Sequence, residues 1–433
     1  MVCKMTLYTS RGGNQRGSYI DGLECKGCGK KFPVGLRNAC DECFHSLEVK
    51  YRTEEVREFL DRDYIRSQPG SMWRYWPLLP ADPVVGADGL NPGMTPLREC
   101  RNLARMLGAR RILVKDDTVN PTYSFKDRPV AVSITKIVEF GLAGSGCAST
   151  GNLAGAVAAA SAKYGIPSYV LVPSSTDRGK ILPALAYGAN LIEVDGTYDE
   201  ANRISNLIAD RYRIGFVNIN LRPYYVEGSK TIAMETVEQL GWALPDRVIV
   251  PMGSGALLTA VSKGLNEFAE TGLIDDSAEV MISGTQPDGC SPISDAYSGT
   301  DGMIHPVEKP ETVAESLAIG DPASGYEALS IIRKSAGFAD APDDREIFEG
   351  QMLLARHEGV FTEPAGGCVI ASLRRKLEDG TIGRDETIVC LITGNGLKSQ
   401  RHLDARSMGR TYKVGNNTEE VEKIFEKDIG GLN

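Results

Sequence analysis

The chain has 433 residues, 42% of them hydrophobic and 24% charged, with a net charge of −9 and a pI near 5.3. That length can bury a large core in two or three domains, and the composition is that of an ordinary soluble globular protein. The acidic balance argues against nucleic acid or an anionic membrane as main partner, yet leaves room for a small anionic substrate at a locally positive site.

Residues 1–20 are polar and read as a loose N-terminus; no apolar run of signal-peptide length occurs there, so a cytoplasmic protein is expected. Residues 21–50 carry Cys25, Cys28, Cys40 and Cys43, two C-x2-C pairs with eleven residues between them. That spacing is a zinc-ribbon signal, and so short a segment has little core of its own without a metal. A ribbon can bind a nucleic acid or a protein, or cap an enzyme; four reduced cysteines without metal are the remaining alternative. Four thiolates leave no open position for catalysis by the metal. The ten cysteines in all are too few and too scattered for a disulfide scaffold.

Next come a helix over about Thr53 to Asp61, the segment Trp73-Arg74-Tyr75, and a Pro/Gly-rich loop ending Pro92-Gly93-Met94-Thr95-Pro96-Leu97. From about 110 to 400, short Val/Ile-rich runs alternate with helical patterns. The runs are 111–115, 168–172, 191–194, 248–250, 280–282 and 388–391. After Lys126, apolar residues at Val130, Ile134, Ile137 and Val138 share one helix face, with either Ser124 or Asp127 as cap. Residues 140–162 form 23 residues without a charge. Their Gly, Ser, Thr and Asn content marks a strand, loop and helix rather than a membrane span. Alternating strands and helices predict parallel sheets covered by helices on both faces. The charged tail from 409 carries a short amphipathic helix over 418–427.

Four segments sit where strands give way to helices. Lys126, in Asn120-Pro121-Thr122-Tyr123-Ser124-Phe125-Lys126-Asp127-Arg128, occupies a corner that can aim a rigid amine into a cleft. An amine becomes reactive at neutral pH when partly desolvated or near positive charge. Gly253-Ser254-Gly255-Ala256-Leu257 follows a strand and opens a helix, so its backbone N–H groups can cradle a phosphate. It is neither a Walker loop nor a dinucleotide fingerprint. Ser149-Thr150-Gly151-Asn152 caps an alanine-rich helix, and Thr393-Gly394-Asn395-Gly396 follows a late strand. Each of these, alone, also fits a plain tight turn or cap.

Together with Trp73-Arg74-Tyr75, Thr95-Pro96-Leu97, Ser316-Leu317-Ala318-Ile319-Gly320 and Phe361-Thr362-Glu363-Pro364-Ala365-Gly366-Gly367, these segments resemble the threonine synthase branch of the fold-type II pyridoxal-phosphate (PLP) enzymes. The resemblance runs from about 21 to 408. It implies an α/β, tryptophan synthase β-like fold: two open parallel-rich sheet domains with the cofactor in the cleft, plus the small ribbon-like module. The implied division is 51–126 with 226–408 as the larger, PLP-binding domain, 127–225 as a smaller mobile one, and 409–433 as a tail.

The resemblance makes Lys126 the Schiff-base lysine and base, places Phe125 beside the cofactor and puts Asn152 on the ring oxygen. Gly253, Ser254, Gly255, Ala256 and Leu257 then hold the cofactor phosphate, and Thr393 meets the pyridine nitrogen. A hydroxyl there favours elimination and replacement over transamination. Ser149, Thr150 and Gly151 face the substrate carboxylate, and Arg222, Ser229 and Lys230 the substrate phosphate. Many relatives carry an Arg where Tyr225 stands, which re-routes that contact through Arg222. The implied reaction turns O-phospho-L-homoserine and water into L-threonine and phosphate. The alternatives are a cysteate synthase-like replacement on O-phosphoserine with sulfite and a non-catalytic zinc-ribbon binding protein. A homodimer is the expected assembly, with structural zinc on the four cysteines.

Overall fold

Three sheets organise the chain, here in a computed structural model that describes residues 18–149, 151–176, 178–196, 198–275, 279–400 and 408–429. The first is antiparallel, ordered β2-β1-β3, from β1 (Ile20–Cys25), β2 (Lys31–Phe32) and β3 (Leu47–Tyr51). It buries Leu23, Leu47 and Val49 and carries the four cysteines at its turns. These strands gave no pattern in the sequence because they are short and the cysteines interrupt them.

The second sheet contains β4 (Leu97–Glu99) and β5 (Arg111–Asp116). The third follows in the chain, with β6 (Gly144–Ala148), β7 (Ser168–Pro173), β8 (Asn190–Val194) and β9 (Ile214–Phe216) ordered β8-β7-β6-β9, all parallel. The chain then returns to the second sheet with β10 (Arg247–Pro251), β11 (Met281–Thr285), β12 (Ala339–Asp340) and β13 (Thr387–Ile392). Its order is β12-β11-β10-β13-β5-β4, parallel except for the edge strand β4. The Val/Ile runs of β5, β10 and β13 are buried almost throughout, as strands covered on both faces require.

β10, β13 and β5 are neighbours and run the same way, so the loops that leave their C-terminal ends lie along one edge of the sheet. In open α/β sheets that edge is where ligands bind. Helix Asp127–Glu139 starts there and packs Val130, Ile134 and Ile137 into the core at 0% exposure. Val138, expected on the same face, is 38% exposed; one further residue turns it out of the core. The expected caps differ too. Lys126 is the cap residue, with no side-chain cap bond. The Asp127 carboxylate turns back instead to accept from the N–H and hydroxyl of Thr122, both at 2.7 Å.

Residues 399–433 separate from the rest of the chain as a second unit. Within it, helix Thr418–Ile429 places Val421 and Ile424 on one side, while Phe425 is exposed.

Candidate active site

The corner that bears Lys126 is built from beneath. Arg128, 0% exposed, donates to both oxygens of Asp117 at 2.7 and 2.8 Å and to both oxygens of Glu235 at 2.6 and 2.8 Å. Its last N–H, on Nη1, reaches the Thr231 hydroxyl, and the Thr95 hydroxyl lies 3.1 Å from Nη2. Lys115, at the end of β5, adds a second cation to Glu235 at 2.8 Å. Burial alone would raise the Glu235 carboxyl, but Arg128 and Lys115 hold it at about 2. A buried cluster of this kind is a costly way to gain stability, but it fixes geometry. Here it ties the first turn after Lys126 to β5 and to helix Thr231–Gln239.

On top of that base the backbone crosses to the loop after β13. The Phe125 N–H donates to the Thr393 carbonyl at 2.9 Å, and Ser124 forms a bridge with Gly394. The Ser124 hydroxyl is buried and has no partner among the described residues. Lys126 is half-buried. Its Nζ donates to the Tyr225 hydroxyl at 3.2 Å and lies 4.6 Å from the centre of the Phe125 ring.

Asn152 comes from the other sheet, at the start of the helix that follows β6. Its amide nitrogen donates to both oxygens of Glu363, at 3.1 and 2.9 Å. Glu363 is 4% exposed and fills the space that a β-carbon on Gly394 would need. Burial pushes its carboxyl up; the Asn152 amide, Lys398 and Lys126 pull it down. Thus the loop after β13 joins the two sheets' contributions, Phe125 through Thr393 and Asn152 through Glu363 packed on Gly394. Ser149 and Gly151 lie on the turn before Asn152, where the Gly151 N–H reaches the Ser149 hydroxyl. Thr150 lies outside the described residues.

The glycine loop leaves β10 on the same edge. Gly255 sits at φ +83°, a left-handed position that glycine tolerates, and opens helix Ala256–Glu270. A β-carbon there would stand 2.7 Å from the Ser324 carbonyl, and one on Gly253 3.0 Å from Ile319. The Ser324 N–H donates to the Ser254 carbonyl at 2.9 Å, which ties the loop to the segment above it. Bare backbone at a helix start, under a close cover, fits a phosphate group.

Helix Arg222–Ser229 brings Arg222, Tyr225 and Ser229 onto one face, spaced three and four residues apart. The Arg222 guanidinium has no hydrogen bond among the described residues; burial depresses it, against the pull of Tyr225 and Glu327. Lys230 is not brought to this face. It is 0% exposed and bound to Glu227 at 2.5 Å and Glu267 at 2.6 Å, with its ammonium over the Tyr51 ring. Two residues at the cleft escaped the sequence reading as partners. Glu363 was visible only within the segment Phe361 to Gly367 that carries the family resemblance, and Tyr225 only as a departure from the family pattern.

The four cysteine sulfurs lie within 4.8 Å of one another, Cys25 to Cys43 at 3.3 Å and Cys28 to Cys40 at 3.7 Å. Four thiolates around zinc stand about 3.8 Å apart, given tetrahedral bonds of about 2.3 Å, so the cluster fits such an ion.

Comparison with known proteins shows the family and the fold. The sequence model of the family described as "Pyridoxal-phosphate dependent enzyme" matches residues 90–394. Solved structures with this fold include the processed form of threonine deaminase isoform 2 from Solanum lycopersicum. It aligns with a TM-score of 0.61 and 19% identity over 80% of this chain and 85% of that one. The L-serine ammonia-lyase of Rhizomucor miehei aligns with a TM-score of 0.60 and 21% identity over 71% and 95%. The chain is also 41% identical to the threonine synthase of Methanocaldococcus jannaschii over 86% of its own length and 92% of the relative's. For the threonine synthase of Methanosarcina acetivorans the identity is 38%, over 87% and 92%. The chain belongs to the pyridoxal-phosphate dependent enzymes and, within them, to the threonine synthase family.

Proposed function

We propose that this chain converts O-phospho-L-homoserine and water into L-threonine and inorganic phosphate, with PLP held on Lys126. One observation carries the reading: the Lys126 corner, the Thr393 turn and the glycine loop leave three adjacent parallel strands on one edge, with Asn152 facing them. Lys126 would bond the cofactor, with Phe125 beside it. The N–H groups of Gly253 to Leu257 would hold its phosphate, Asn152 its ring oxygen and Thr393 its ring nitrogen. When bound, the cofactor supplies an electron sink for carbanions formed on the amino acid.

The rest falls to the protein. The freed Lys126 amine takes the proton from the α-carbon and then from the β-carbon; one mobile base can serve successive positions on a small substrate. The Tyr225 hydroxyl, 3.2 Å from that amine, steadies it between transfers. Arg222, aided by Ser229, holds the phosphate that departs from the γ-carbon, where a guanidinium matches the oxyanion. Water then adds its hydroxyl to the β-carbon, and protonation leaves the γ-carbon as a methyl group. Ser149, Thr150 and Gly151 orient the substrate carboxylate. The 127–225 unit is read as the mobile side of the cleft, excluding stray water until addition.

A cytoplasmic homodimer acting on this small anion, without nucleic acid or membrane as partner, completes the proposal. Among the described residues no helix is long and apolar enough to cross a membrane. The test is to offer O-phosphohomoserine and O-phosphoserine separately and measure phosphate release. Release from the first supports the reading. Release from the second alone, with sulfite, replaces it with the cysteate synthase-like one.

A further inference from the structure

Helix Arg222–Ser229 works on two sides. Tyr225 turns its hydroxyl to Lys126. Tyr224 and Glu227, placed differently around the helix axis, turn to the four-cysteine module. The Tyr224 hydroxyl accepts from the Gly35 N–H at 2.9 Å and donates to the Gly35 carbonyl at 2.8 Å, and its ring is fully buried. Glu227, 1% exposed, accepts from the Tyr51 hydroxyl at 2.8 Å. Lys263 closes the joint, donating to the Val49 carbonyl at 2.9 Å and to Glu227 at 2.6 Å.

The helix cannot shift without the lysine feeling it. A β-carbon on Gly228 would stand 2.3 Å from the Arg128 carbonyl, so the helix lies directly on the turn that follows Lys126. None of these hydrogen bonds involves a cysteine sulfur or Lys126. What they jointly determine is where Tyr225 sits.

We propose that the four-cysteine module is a positioning element for Lys126: by holding Tyr224 and Glu227 it sets the Tyr225 hydroxyl on the lysine amine. The proposal rests on the reading of Lys126 as the cofactor lysine. Tyr224 and Glu227 are positioning residues in it, since they act through Tyr225.

The test uses the full-length holoenzyme and the double variant Tyr51→Phe/Tyr224→Phe, which removes two hydroxyls and leaves the cysteines, Lys126 and Tyr225 in place. Amide exchange over 222–230 and the absorption band of the lysine-bound cofactor are compared with wild type and with Tyr225→Phe. Exchange over 222–230 is expected to rise about tenfold while 153–164 is unchanged. The band is expected to move in the direction it moves in Tyr225→Phe. A band that moves in Tyr225→Phe but not in the double variant overturns the proposal and leaves the cofactor reading standing. A band unmoved by Tyr225→Phe also overturns it, because the hydroxyl then has no hold on the amine. Wild-type protein with no Lys126-dependent band overturns the cofactor reading and the proposal with it. Should the double variant fail to fold, Tyr224→Phe alone gives the same comparison with a smaller rise in exchange.

Discussion

Lys126 and Lys230 lie at opposite sides of one helix and are treated in opposite ways. Lys230 is sealed from solvent and bound between Glu227 and Glu267. Lys126 is half-buried and meets one hydroxyl and two aromatic faces; the Glu363 carboxylate feels its charge, but no ion pair forms among the described residues. An amine clasped by carboxylates is committed to its ion pairs, whereas one that faces a phenol is available to a ligand. Burial alone therefore does not tell the two lysines apart; the chemistry of their partners does.

The sharpest way to break this contrast is to remove each lysine in turn. Lys126→Ala is expected to lower phosphate release by about a thousandfold or more and to abolish the lysine-bound absorption band. Arg128→Met, which strands Asp117 in the core and leaves Glu235 to Lys115 alone, is expected to cost about 3–5 kcal/mol in urea unfolding. Lys230→Met should cost about 3 kcal/mol for the same reason, while the cofactor band persists. A lost band in Lys230→Met with a retained one in Lys126→Ala would reverse the assignment.

Acid sharpens the contrast further. Glu235 stands at about 2 in place of 4.5, and Lys230 and Lys263 hold Glu227 well below its usual range against the effect of burial. Below 4.5 the unfolded chain binds protons that these folded carboxylates refuse. Their contribution to stability is thus complete above pH 4.5 and fades as pH falls towards 2. Melting temperatures followed across that window should fall more steeply in wild type than in Glu235→Gln, whose own melting temperature at neutral pH is lower. The smallest expected effect concerns the ribbon: purified protein should carry close to one zinc per chain, and Cys25→Ser/Cys28→Ser close to none. A wild-type value far below one would remove zinc from the account.

The Lys126 corner was legible in the sequence because its parts are local: a strand, an Asn-Pro step and a helix within a few residues. The larger sheet announced itself through the Val/Ile runs of β5, β10, β11 and β13. What escaped was short or distant. β4, β9 and β12 span two or three residues, too few for a period to emerge. The contacts of Lys126 with Tyr225 and of Asn152 with Glu363 cross 99 and 211 residues, and no local pattern encodes them. Lys230 emerges away from Arg222 and Tyr225, because a motif fixes a residue's place in the chain but not the side of the helix on which it emerges. The expected caps failed because Asp127 had a nearer donor pair in Thr122.

The docking of the N-terminal module also imposes an order on synthesis. Gly35, Val49 and Tyr51 leave the ribosome early, while Tyr224, Glu227 and Lys263 follow 176 to 214 residues later. At about 5–20 residues per second that delay is about 10–40 s. During it the nascent module must hold its own shape with little core, a task to which the cysteine cluster is suited. Withholding zinc while the chain is being made should therefore cost more soluble protein than withdrawing it from the finished enzyme.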